Sequence, residues 1–419
     1  MDRSGPAHPF ERSYGFNAVP GSADWLRRPV VPLRTRLSTR FARRGTSGGK
    51  SNPSKRTFVR EQGLAPAMAA KEGPAMPRKH GEPAIAPLPS PFPEGWFYVA
   101  SVREVRKAGL IQKTWMGESI VAWIDDAGQV CVAEAICPHL GSFLGPSAGG
   151  RVSNGRIVCP FHGFEFDTSG RCVHTPYAAP PRSARLRVFA TRVICGLIFG
   201  WWGIDGRDPQ WDLPSEEPDQ SGWCDLRIRT LRFRGHPQET TENSVDLAHL
   251  RYVHGYGSVD RVDPLAIDGP YLRSRFDFTR TREIAGILKL TFAPSADTHI
   301  YGFGYSLVEV HERSIGMDLR IWILATPVDG EIIDMSLACQ VRELRSPKRW
   351  FMGLKFLPTK ARAPLLNRFM SAQQAEDVLQ DVEIWGRKKF VSHPRLCRSD
   401  GEVRAFRAYC EQFYPENGA

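Results

Sequence analysis

A cysteine and a histidine stand close together at two places in the chain. Cys137 and His139 flank a proline, and after nineteen intervening residues the pairing recurs as Cys159 and His162. Thiolates bind iron tightly, and a cluster in which imidazoles replace two of the four thiolates is easier to reduce. Its potential rises to roughly −150 to +300 mV, against about −400 mV for all-cysteine plant-type clusters. The spacing therefore predicts a [2Fe–2S] cluster that carries single electrons.

A structural zinc site is the competing interpretation of these four residues. Zinc sites of the Cys₂His₂ kind typically pair cysteine with cysteine and histidine with histidine. Here each half holds one cysteine and one histidine, so the pattern favours the iron–sulfur cluster.

A second group of candidate metal ligands follows nearly ninety residues downstream. Asp246 and His249 are three residues apart and share one face of a helix. His254 is five residues beyond His249, about 140° further round an ideal helix, so both rings reach one ion only if the helix distorts or ends between them. Gly255 provides a natural end. Two histidines and one carboxylate make the facial triad of non-haem iron enzymes, which leaves positions open for dioxygen and substrate.

An acidic segment further downstream can supply the carboxylate. Asp377 and Asp381 are four residues apart and share a helical face, so periodicity does not separate them. A solvated acidic face, with the third ligand elsewhere, is the other possibility.

The cluster motif resembles a known family. Residues 137–172 look like the two cluster-binding loops of the Rieske family, and residues 242–255 resemble the catalytic domain of Rieske oxygenases. The first resemblance implies the cluster ligands: Cys137 and Cys159 on one iron atom, and His139 and His162 on the other.

The second resemblance implies the ligands of a mononuclear Fe(II). His249 and His254 correspond to the family's iron-binding histidines. Family members tend to carry the third ligand in an Asp-x-x-Ile-Trp pattern, which matches Asp381 and not Asp377.

The resemblance also implies roles for two neighbouring residues. Asp246 is expected to hydrogen-bond His249 on one side and a cluster histidine, His162, of a neighbouring subunit on the other. A buried carboxylate in this place would fix the imidazole tautomer. Asn243 is expected near the iron without binding it firmly.

Residues 238–249, 381–389 and 400–414 resemble one branch of the family, the 3-ketosteroid 9α-hydroxylase oxygenases and the Neverland-type cholesterol 7-desaturases. That branch implies hydroxylation or desaturation of a rigid apolar molecule, such as a sterol or ketosteroid, in a cavity of the second domain. Demethylation or hydroxylation of a small aromatic is the alternative, and an electron-transfer protein without oxygenase activity is the alternative in another class. Four aromatic residues that could line the cavity are more typical of core positions: Phe276, Phe292, Tyr301 and Phe303.

The sequence carries no nucleotide-binding motif of the G-x-G-x-x-G kind after a strand. We therefore expect electrons from NAD(P)H to arrive through a separate flavin/iron–sulfur reductase or a ferredoxin. Electron transfer between subunits implies a ring, and the family precedent is a head-to-tail homotrimer.

The elements that position these residues are mostly short strands. Alternating segments separated by Gly, Pro, Asn and Asp are typical of antiparallel sheet, and helix-like patterns interrupt them at residues 240–254 and around 371–390. The pattern predicts an α+β fold. An N-terminal antiparallel β Rieske [2Fe–2S] domain is expected at residues 93–210, and a helix-grip-like catalytic domain, with an antiparallel sheet and flanking helices, at 211–419. Residues 351–366 are expected to form an amphipathic surface helix.

The net charge of +11 is concentrated at the N-terminus. Residues 1–60 carry +10, residues 61–92 carry zero and residues 93–419 about +1, so the folded body is nearly neutral and we expect no nucleic-acid partner. Residues 1–92 are basic and Pro-rich without a sustained period, which predicts disorder. The Arg-rich start also resembles an organellar transit peptide, and an over-long start is the further possibility.

Cysteine usage bears on the compartment. Nine cysteines, an odd number, spread over a large chain fit reducing conditions and predict a cytoplasmic protein, with an organelle as the alternative. The longest apolar run, residues 193–204, is shorter than the roughly twenty residues that cross a bilayer, so we expect no transmembrane segment.

Overall fold

The computed structural model describes residues 90–284, 288–344 and 351–415. All strand pairs within these ranges are antiparallel, and helices flank the sheets at a few places. This confirms the predicted α+β fold. The predicted disordered tail lies outside the described residues up to residue 89.

The first half of the described chain consists of short strands joined by tight turns. Asn154 and Gly155 both have positive φ, 49° and 70°, as a two-residue type I′ hairpin turn requires. The elements are β1 (Gly95–Ser101), α1 (Val102–Ala108), β2 (Leu110–Trp115), β3 (Glu118–Ile124), β4 (Val130–Glu134), a 3₁₀ helix (Pro146–Ala148), β5 (Arg151–Ser153), β6 (Arg156–Val158), β7 (Glu165–Phe166), β8 (Cys172–His174), β9 (Val188–Phe189), β10 (Thr191–Ile194), β11 (Leu197–Trp202) and a 3₁₀ helix (Ile204–Gly206).

These strands form three small sheets. Their orders are β1-β11-β10, β2-β3-β4-β9 and β5-β6-β7-β8. The last sheet carries a cluster-loop cysteine just after β6, and the apolar side chains beneath it include the fully buried Trp123 and Phe166. The cluster loops therefore rest on a packed core.

The second half contains the larger sheet and the long helix. Its elements are β12 (Arg227–Arg234), α2 (Pro237–Glu242), α3 (Leu247–Tyr252), β13 (Val259–Arg261), β14 (Ala266–Asp268), β15 (Tyr271–Phe278), β16 (Arg280–Ile284), β17 (Leu288–Phe292), β18 (Ser295–Tyr301), β19 (Tyr305–Glu312), β20 (Met317–Pro327), β21 (Ile332–Val341), a 3₁₀ helix (Phe351–Phe356), α4 (Thr359–Trp385), a 3₁₀ helix (Arg398–Asp400), α5 (Gly401–Cys410) and a 3₁₀ helix (Glu411–Phe413).

The large sheet has the order β12-β21-β20-β19-β18-β15-β13, with β14 paired to β15, and β16 and β17 form a separate hairpin. Helix α4 lies against this sheet. Its end near Trp385 packs with Phe233 and Met335, and its beginning, near Leu366, packs with Val341. A sheet holding one long helix matches the expected helix-grip-like domain.

Helix α4 differs from the prediction at both ends. It begins twelve residues before Ser371, at Thr359, and continues past Pro364, and it ends at Trp385, since Gly386 forms the C-cap. Leu354 and Leu366 are buried against the sheet. The expected surface helix at residues 351–366 is in the structure a 3₁₀ helix followed by the start of α4, and two of its other apolar side chains, Phe356 and Leu365, are exposed by 71% and 52%.

The two halves share buried side chains. The hydroxyl of Thr326, in β20, donates to the Tyr98 carbonyl of β1 over 3.1 Å. Tyr98 and Phe199 lie in one apolar cluster with Trp322. Residues 207–226 connect the halves without helix or strand, and the predicted boundary at 210/211 falls within them.

Candidate metal centres

The two Cys/His loops are built by the same pair of backbone hydrogen bonds. The Cys137 amide donates to the carbonyl five residues on, at Ser142, over 2.8 Å, and Gly141 N–H donates back to the Cys137 carbonyl over 2.9 Å. Cys159 repeats both bonds, donating to Phe164 over 2.8 Å and accepting from Gly163 over 3.0 Å. Gly141 and Gly163 hold φ of 75° and 68°, the left-handed region that favours glycine. The two loops therefore have the same backbone conformation and hydrogen-bond pattern.

These turns bring the four predicted cluster residues together. Cys137 and Cys159 are buried, and the His139 and His162 rings lie edge to face with centroids 4.9 Å apart. The Phe164 ring stacks on His139 at 4.3 Å. The two thiols therefore lie inside the domain, with both imidazoles beside them.

The donor set fits a [2Fe–2S] cluster. Burial, with a smaller contribution from the adjacent Cys159, raises the pKa of the Cys137 thiol to about 12, so two thiolates side by side need a cation to balance them. Iron supplies that charge. The buried Nδ1 of His162 has no hydrogen-bond partner among the described residues, as expected of an atom reserved for a ligand outside the chain.

The second motif folds as two short helices and not as one. The predicted helix at residues 240–254 breaks after Glu242, and Asp246 starts α3 by accepting hydrogen bonds from the amides of Ala248 and His249. Helix α3 ends at Tyr252, and Gly255 has a φ of 66°. The expectation that the helix ends between the two histidines is confirmed.

The structure brings His249, His254 and Asp381 together. Their ligand atoms all lie within 4.8 Å of one another. His254 Nε2 lies 3.3 Å from an Asp381 oxygen, and the two side chains are 5% and 9% exposed. Two imidazoles and one carboxylate, buried at one point, fit an Fe(II) facial triad.

Each histidine ring is oriented through its Nδ1. In His254 this atom lies 3.0 Å from Gln380 Oε1, and in His249 it contacts the backbone carbonyl of Asp246. A carbonyl or amide oxygen accepts, so Nδ1 carries the proton and Nε2 is left for a metal. Gln380 was not among the predicted site residues, and its position next to Asp381 is the one sequence signal that could have found it.

Asp246 hydrogen-bonds His249, as expected, but its backbone carbonyl and not its carboxylate contacts the ring. Oxygen Oδ1 caps α3, accepting from Ala248 N at 3.1 Å and His249 N at 3.4 Å, and the ring contacts the Asp246 carbonyl in its place. Oxygen Oδ2 has no hydrogen bond among the described residues. Asn243 follows α2 and lines the cavity next to the histidines.

Asp377 is occupied by an ion pair. Its two oxygens accept from Arg280 at 2.6 and 2.5 Å, and Arg280 also donates to the Tyr256 hydroxyl over 3.2 Å. Asp381 is the acid that lies with the histidines. Arg280 and Tyr256 were also missed from sequence, since no local pattern marks them.

Charge and burial act differently on the two imidazoles. Burial lowers the pKa of His249 below its ordinary value. Burial also lowers the pKa of His254, but the hydrogen bond and charge of Asp381 outweigh it, so that pKa lies above the ordinary value. The carboxylate and His254 thus form a polar pair in a mostly apolar setting.

A cavity of about 600 Å³ opens beside this group. Residues near Asp381 on α4 pack with Met335, whereas the opposite end of the cavity is lined by Glu312 and Met317. From Met370 to Asp381, α4 extends about 16 Å. The space is therefore elongated, with the two histidines and Asp381 at one end, and its size is typical of small-molecule sites.

Apolar side chains make up most of the cavity wall. Phe276 and Phe292 are strand residues packed in the interior, as predicted, and they also line the cavity, whereas Tyr301 and Phe303 lie in aromatic packing outside it. The aliphatic and sulfur-containing lining residues include Val308, Val310, Ile315, Met317, Leu319, Ile321, Ile323 and Met335.

Two family models match the chain. Residues 95–190 match the Rieske [2Fe-2S] domain, and residues 200–414, just over half of the chain, match the 3-ketosteroid 9α-hydroxylase C-terminal domain. The chain belongs to the Rieske oxygenases.

Similar proteins from animals and bacteria agree with this. The chain is 28% identical over 355 residues to a cholesterol 7-desaturase of Ciona intestinalis, covering 79% of this chain and 70% of that protein. It is 27% identical to the oxygenase component of a 3-ketosteroid-9-alpha-monooxygenase of Rhodococcus rhodochrous, over 78% of this chain and 85% of that one. The fold of this Rieske oxygenase is similar to that of dicamba monooxygenase bound to 3,6-dichlorosalicylic acid, with a TM-score of 0.60 and 17% identity over 78% and 98% of the two chains.

Family membership settles the class and the cofactors. This Rieske oxygenase is an oxidoreductase that uses a [2Fe–2S] cluster, a mononuclear iron, O₂ and electrons supplied from outside the chain, as predicted. Rieske oxygenases receive these electrons from a separate reductase or ferredoxin. Within the described residues, we find no helix whose length and apolar character would allow it to cross a membrane.

Proposed function

We propose that this Rieske oxygenase hydroxylates or desaturates a sterol or ketosteroid. The observation that carries the proposal is the elongated apolar cavity with His249, His254 and Asp381 at one end. A rigid fused-ring molecule buries its surface in such a space and loses little conformational entropy on binding. The named activities of the similar desaturase and monooxygenase support the same substrate class.

The ligand assignment is part of the proposal. Cys137 and Cys159 would hold one iron of the cluster, with His139 and His162 on the other. Fe(II) held by His249, His254 and Asp381 would supply the activation of dioxygen for attack on a substrate C–H bond. These seven residues are all of the predicted metal ligands.

The chain's own residues prepare the site for this chemistry. Gln380 and the Asp246 carbonyl fix the ring orientations of His254 and His249. The cavity wall is mostly apolar, with polar side chains at several places. Among the lining residues, the Ser306 hydroxyl is buried and has no hydrogen-bond partner in the described part of the chain. We assign to Ser306 a hydrogen bond with a substrate oxygen, because an unpaired buried hydroxyl is costly.

We also propose a head-to-tail homotrimer. The cluster loops expose Leu140, Phe161 and Tyr177 by more than 60% each, and Tyr252 on α3 is 91% exposed next to the candidate iron ligands. Apolar side chains exposed around both centres favour burial against another chain. In such a trimer, His162 of one subunit would hydrogen-bond Oδ2 of Asp246 in the next.

The electron source and compartment complete the proposal. Electrons would originate from NAD(P)H and pass through a flavin/iron–sulfur reductase or ferredoxin. The enzyme is assigned to the cytoplasm, with an organelle as the alternative. None of the nine cysteines, all within the described residues, forms a disulfide, in keeping with a reducing compartment.

The test is product analysis with a defined electron supply. Purified iron-loaded enzyme, a generic reductase and NADH would be incubated with a panel of sterols, ketosteroids and aryl methyl ethers, and the products weighed by mass spectrometry. Addition of one oxygen or loss of two hydrogens from a steroid supports the proposal. Loss of a methyl group from an aryl ether, with the steroids untouched, would replace it with the small-aromatic alternative.

A matched pair of variants ties the product to the site. Asp381→Asn should abolish product while the cluster spectrum is retained. Glu376→Gln alters an exposed acid on the same helix and should leave product formation unchanged. Activity retained in Asp381→Asn would remove this acid from the proposal.

A further inference from the structure

The cavity places a second carboxylate within reach of the candidate iron site. Asp377 and Asp381 lie one helical turn apart on α4, both line the cavity and both are 6% exposed. Side chains at this spacing lie about 5–6 Å apart at their Cβ atoms. Carboxylate oxygens are good ligands for divalent metals. Asp377 is therefore a potential additional ligand.

Arg280 engages that second carboxylate completely. Two nitrogens of its guanidinium donate to the two oxygens of Asp377, at 2.6 and 2.5 Å, in the forked geometry that matches a carboxylate. The side chains are 14% and 9% exposed, so water competes little for the pair. Both oxygens of Asp377 thus accept a hydrogen bond from the guanidinium.

Arg280 is itself held in place. It starts β16, its guanidinium lies over the Tyr256 ring at 4.7 Å, and it donates to the Tyr256 hydroxyl over 3.2 Å. The Tyr256 ring in turn stacks on Phe278 at 4.7 Å. The Arg280 guanidinium is therefore held in a fixed position in the wall of the cavity.

We propose that Arg280 is a positioning residue that keeps Asp377 off the iron. A facial triad works because three metal positions stay open for dioxygen and substrate, and a fourth protein ligand would fill one of them. This inference rests on the proposed triad of His249, His254 and Asp381. It explains why two acids one turn apart on one face have different partners.

Removing the cation tests the inference. Arg280→Met keeps an unbranched side chain of similar length without charge, and removes the two hydrogen bonds from Arg280 to Asp377. We expect the affinity of the mononuclear site for Fe(II), titrated anaerobically without substrate, to rise by ~10-fold or more, the scale on which neighbouring residues tune metal sites. The electron paramagnetic resonance signal that nitric oxide gives with Fe(II) should weaken, because fewer open positions remain.

A second substitution identifies the responsible group. In Arg280→Met/Asp377→Asn the freed carboxylate is gone, and both the Fe(II) affinity and the nitric oxide signal should return to the wild-type values. An Fe(II) affinity that is unchanged or weaker in Arg280→Met overturns the inference. So does a gain that persists in the double variant, since Asp377 would then not be its source.

Two controls separate this effect from loss of structure. Arg273→Met breaks the Arg273–Asp297 pair, which has the same bidentate form at 2.9 and 2.6 Å on the opposite face of β15 from Phe276, and should leave both readouts unchanged. If Arg280→Met does not fold, Arg280→Lys keeps the charge but loses the fork, and should shift both readouts in the same direction by less. No shift in folded Arg280→Lys then overturns the inference.

Failure of the inference is distinguishable from failure of the proposed function. The titration and the nitric oxide signal need neither substrate nor reductase. A wild-type chain that binds no Fe(II) at this site contradicts the proposed function. Normal Fe(II) binding that Arg280 does not influence contradicts the inference alone.

Discussion

The two histidines of the candidate iron site are oriented by different kinds of partner. His249 contacts a backbone carbonyl, which no substitution removes, whereas His254 depends on the side chain of Gln380. The amide oxygen of Gln380 accepts a hydrogen bond from Nδ1–H, which holds the proton on that ring nitrogen. His254 is thus the ligand whose tautomer can be changed by one mutation.

Gln380→Leu should weaken the mononuclear site. Without the amide acceptor, the ring of His254 loses its preferred tautomer and orientation. We expect a loss of about 10–100-fold in Fe(II) affinity, as for comparable residues that contact a metal-binding histidine. Anaerobic Fe(II) titration measures it, and the visible spectrum reports that the cluster is intact.

Gln373→Leu is the matched control on the same helix. Gln373 donates to Glu376 over 2.7 Å and contacts neither histidine ring. Its Fe(II) affinity should equal that of the unmodified chain. Equal affinities in both variants would show that Gln380 does not orient the ligand.

At the scale of residues, only part of the candidate site could be predicted from the sequence. The ligand types were predictable because thiolate, imidazole and carboxylate each prefer particular metals. The partners were not, since Arg280 meets Asp377 across 97 positions of sequence and nothing local marks the pair. The same holds for the Asp246 carboxylate, whose capping role follows from where α3 begins.

At the scale of elements, the early end of α3 determines the position of His254. His254 reaches Asp381 because the chain leaves the helix after Tyr252 and turns at Gly255, which has a φ of 66°. A Cβ built at Gly255 would meet nothing within 4 Å, so any cost of a side chain there comes from the backbone alone.

Gly255→Ala should lower the free energy of unfolding by roughly 1–2 kcal/mol, the cost of the left-handed conformation for an ordinary residue. Urea unfolding at neutral pH measures it. Gly401→Ala is the control, because Gly401 has a helical φ of −59° and equally open surroundings, and alanine should be neutral or stabilising there. Equal stability of Gly255→Ala and the parent would mean that the turn tolerates alanine.

Helix α2 is fixed by a buried ion network just before the iron motif. Glu242 accepts from Arg407 on α5 at 2.8 Å and from Lys388, just after α4, at 3.2 Å. Burial raises the pKa of Glu242, but the two cations outweigh it, so its pKa lies below the ordinary value of 4.5. The network links the three helices around the site.

When the pKa of a carboxyl group is lower in the folded than in the unfolded state, the group stabilises the protein at pH values above its unfolded-state pKa. That stabilisation is lost as the pH falls through its folded-state pKa. Glu242→Gln should therefore lower stability at pH 7, by up to roughly 3 kcal/mol, because it removes the carboxylate that pairs with the largely buried Arg407 and one of the two that pair with the partly exposed Lys388. Below about pH 4.5 the difference from the parent should shrink. Thermal unfolding across this pH range tests both statements.

Glu383→Gln controls for loss of a carboxylate alone. Glu383 is 72% exposed and pairs with Arg387 four residues on, so about 0.3–0.5 kcal/mol is expected. A constant gap between Glu242→Gln and the parent at every pH would contradict the role given to Glu242.

Elements were predictable where one pattern dominated. Alternation located the main strands, such as β20 and β21, because their side chains alternate between two packed faces. The predicted helix around residues 371–390 covered only the part of α4 after residue 370. The helix begins earlier and holds Pro364 near its start, where packing against the sheet compensates.

At the scale of the whole molecule, the chain carries two redox centres with different surroundings. The cluster loops lie near the surface among exposed apolar residues, whereas Asp381 and His254 are buried at the end of a cavity. This arrangement suits a division of labour in which one centre meets another protein and the other meets the substrate.

In the proposed trimer, the cluster of one subunit would serve the mononuclear iron of the neighbouring subunit. A chain with His162→Ala would lack a competent cluster, and a chain with His249→Ala would lack a competent triad. Each should be inactive alone. Co-expressed, they should recover about a quarter of the wild-type rate, because each junction in the ring needs an intact cluster on one side and an intact triad on the other.

Differently tagged chains allow mixed rings to be isolated before the assay. Mixing the two variants after separate folding, without subunit exchange, should recover nothing and serves as the control. Tagged mixed rings that stay inactive would show that the cluster serves the triad of its own chain. A monomer by light scattering would remove the trimer, since the apolar residues around Tyr252 and Phe161 would then have no second copy to cover them.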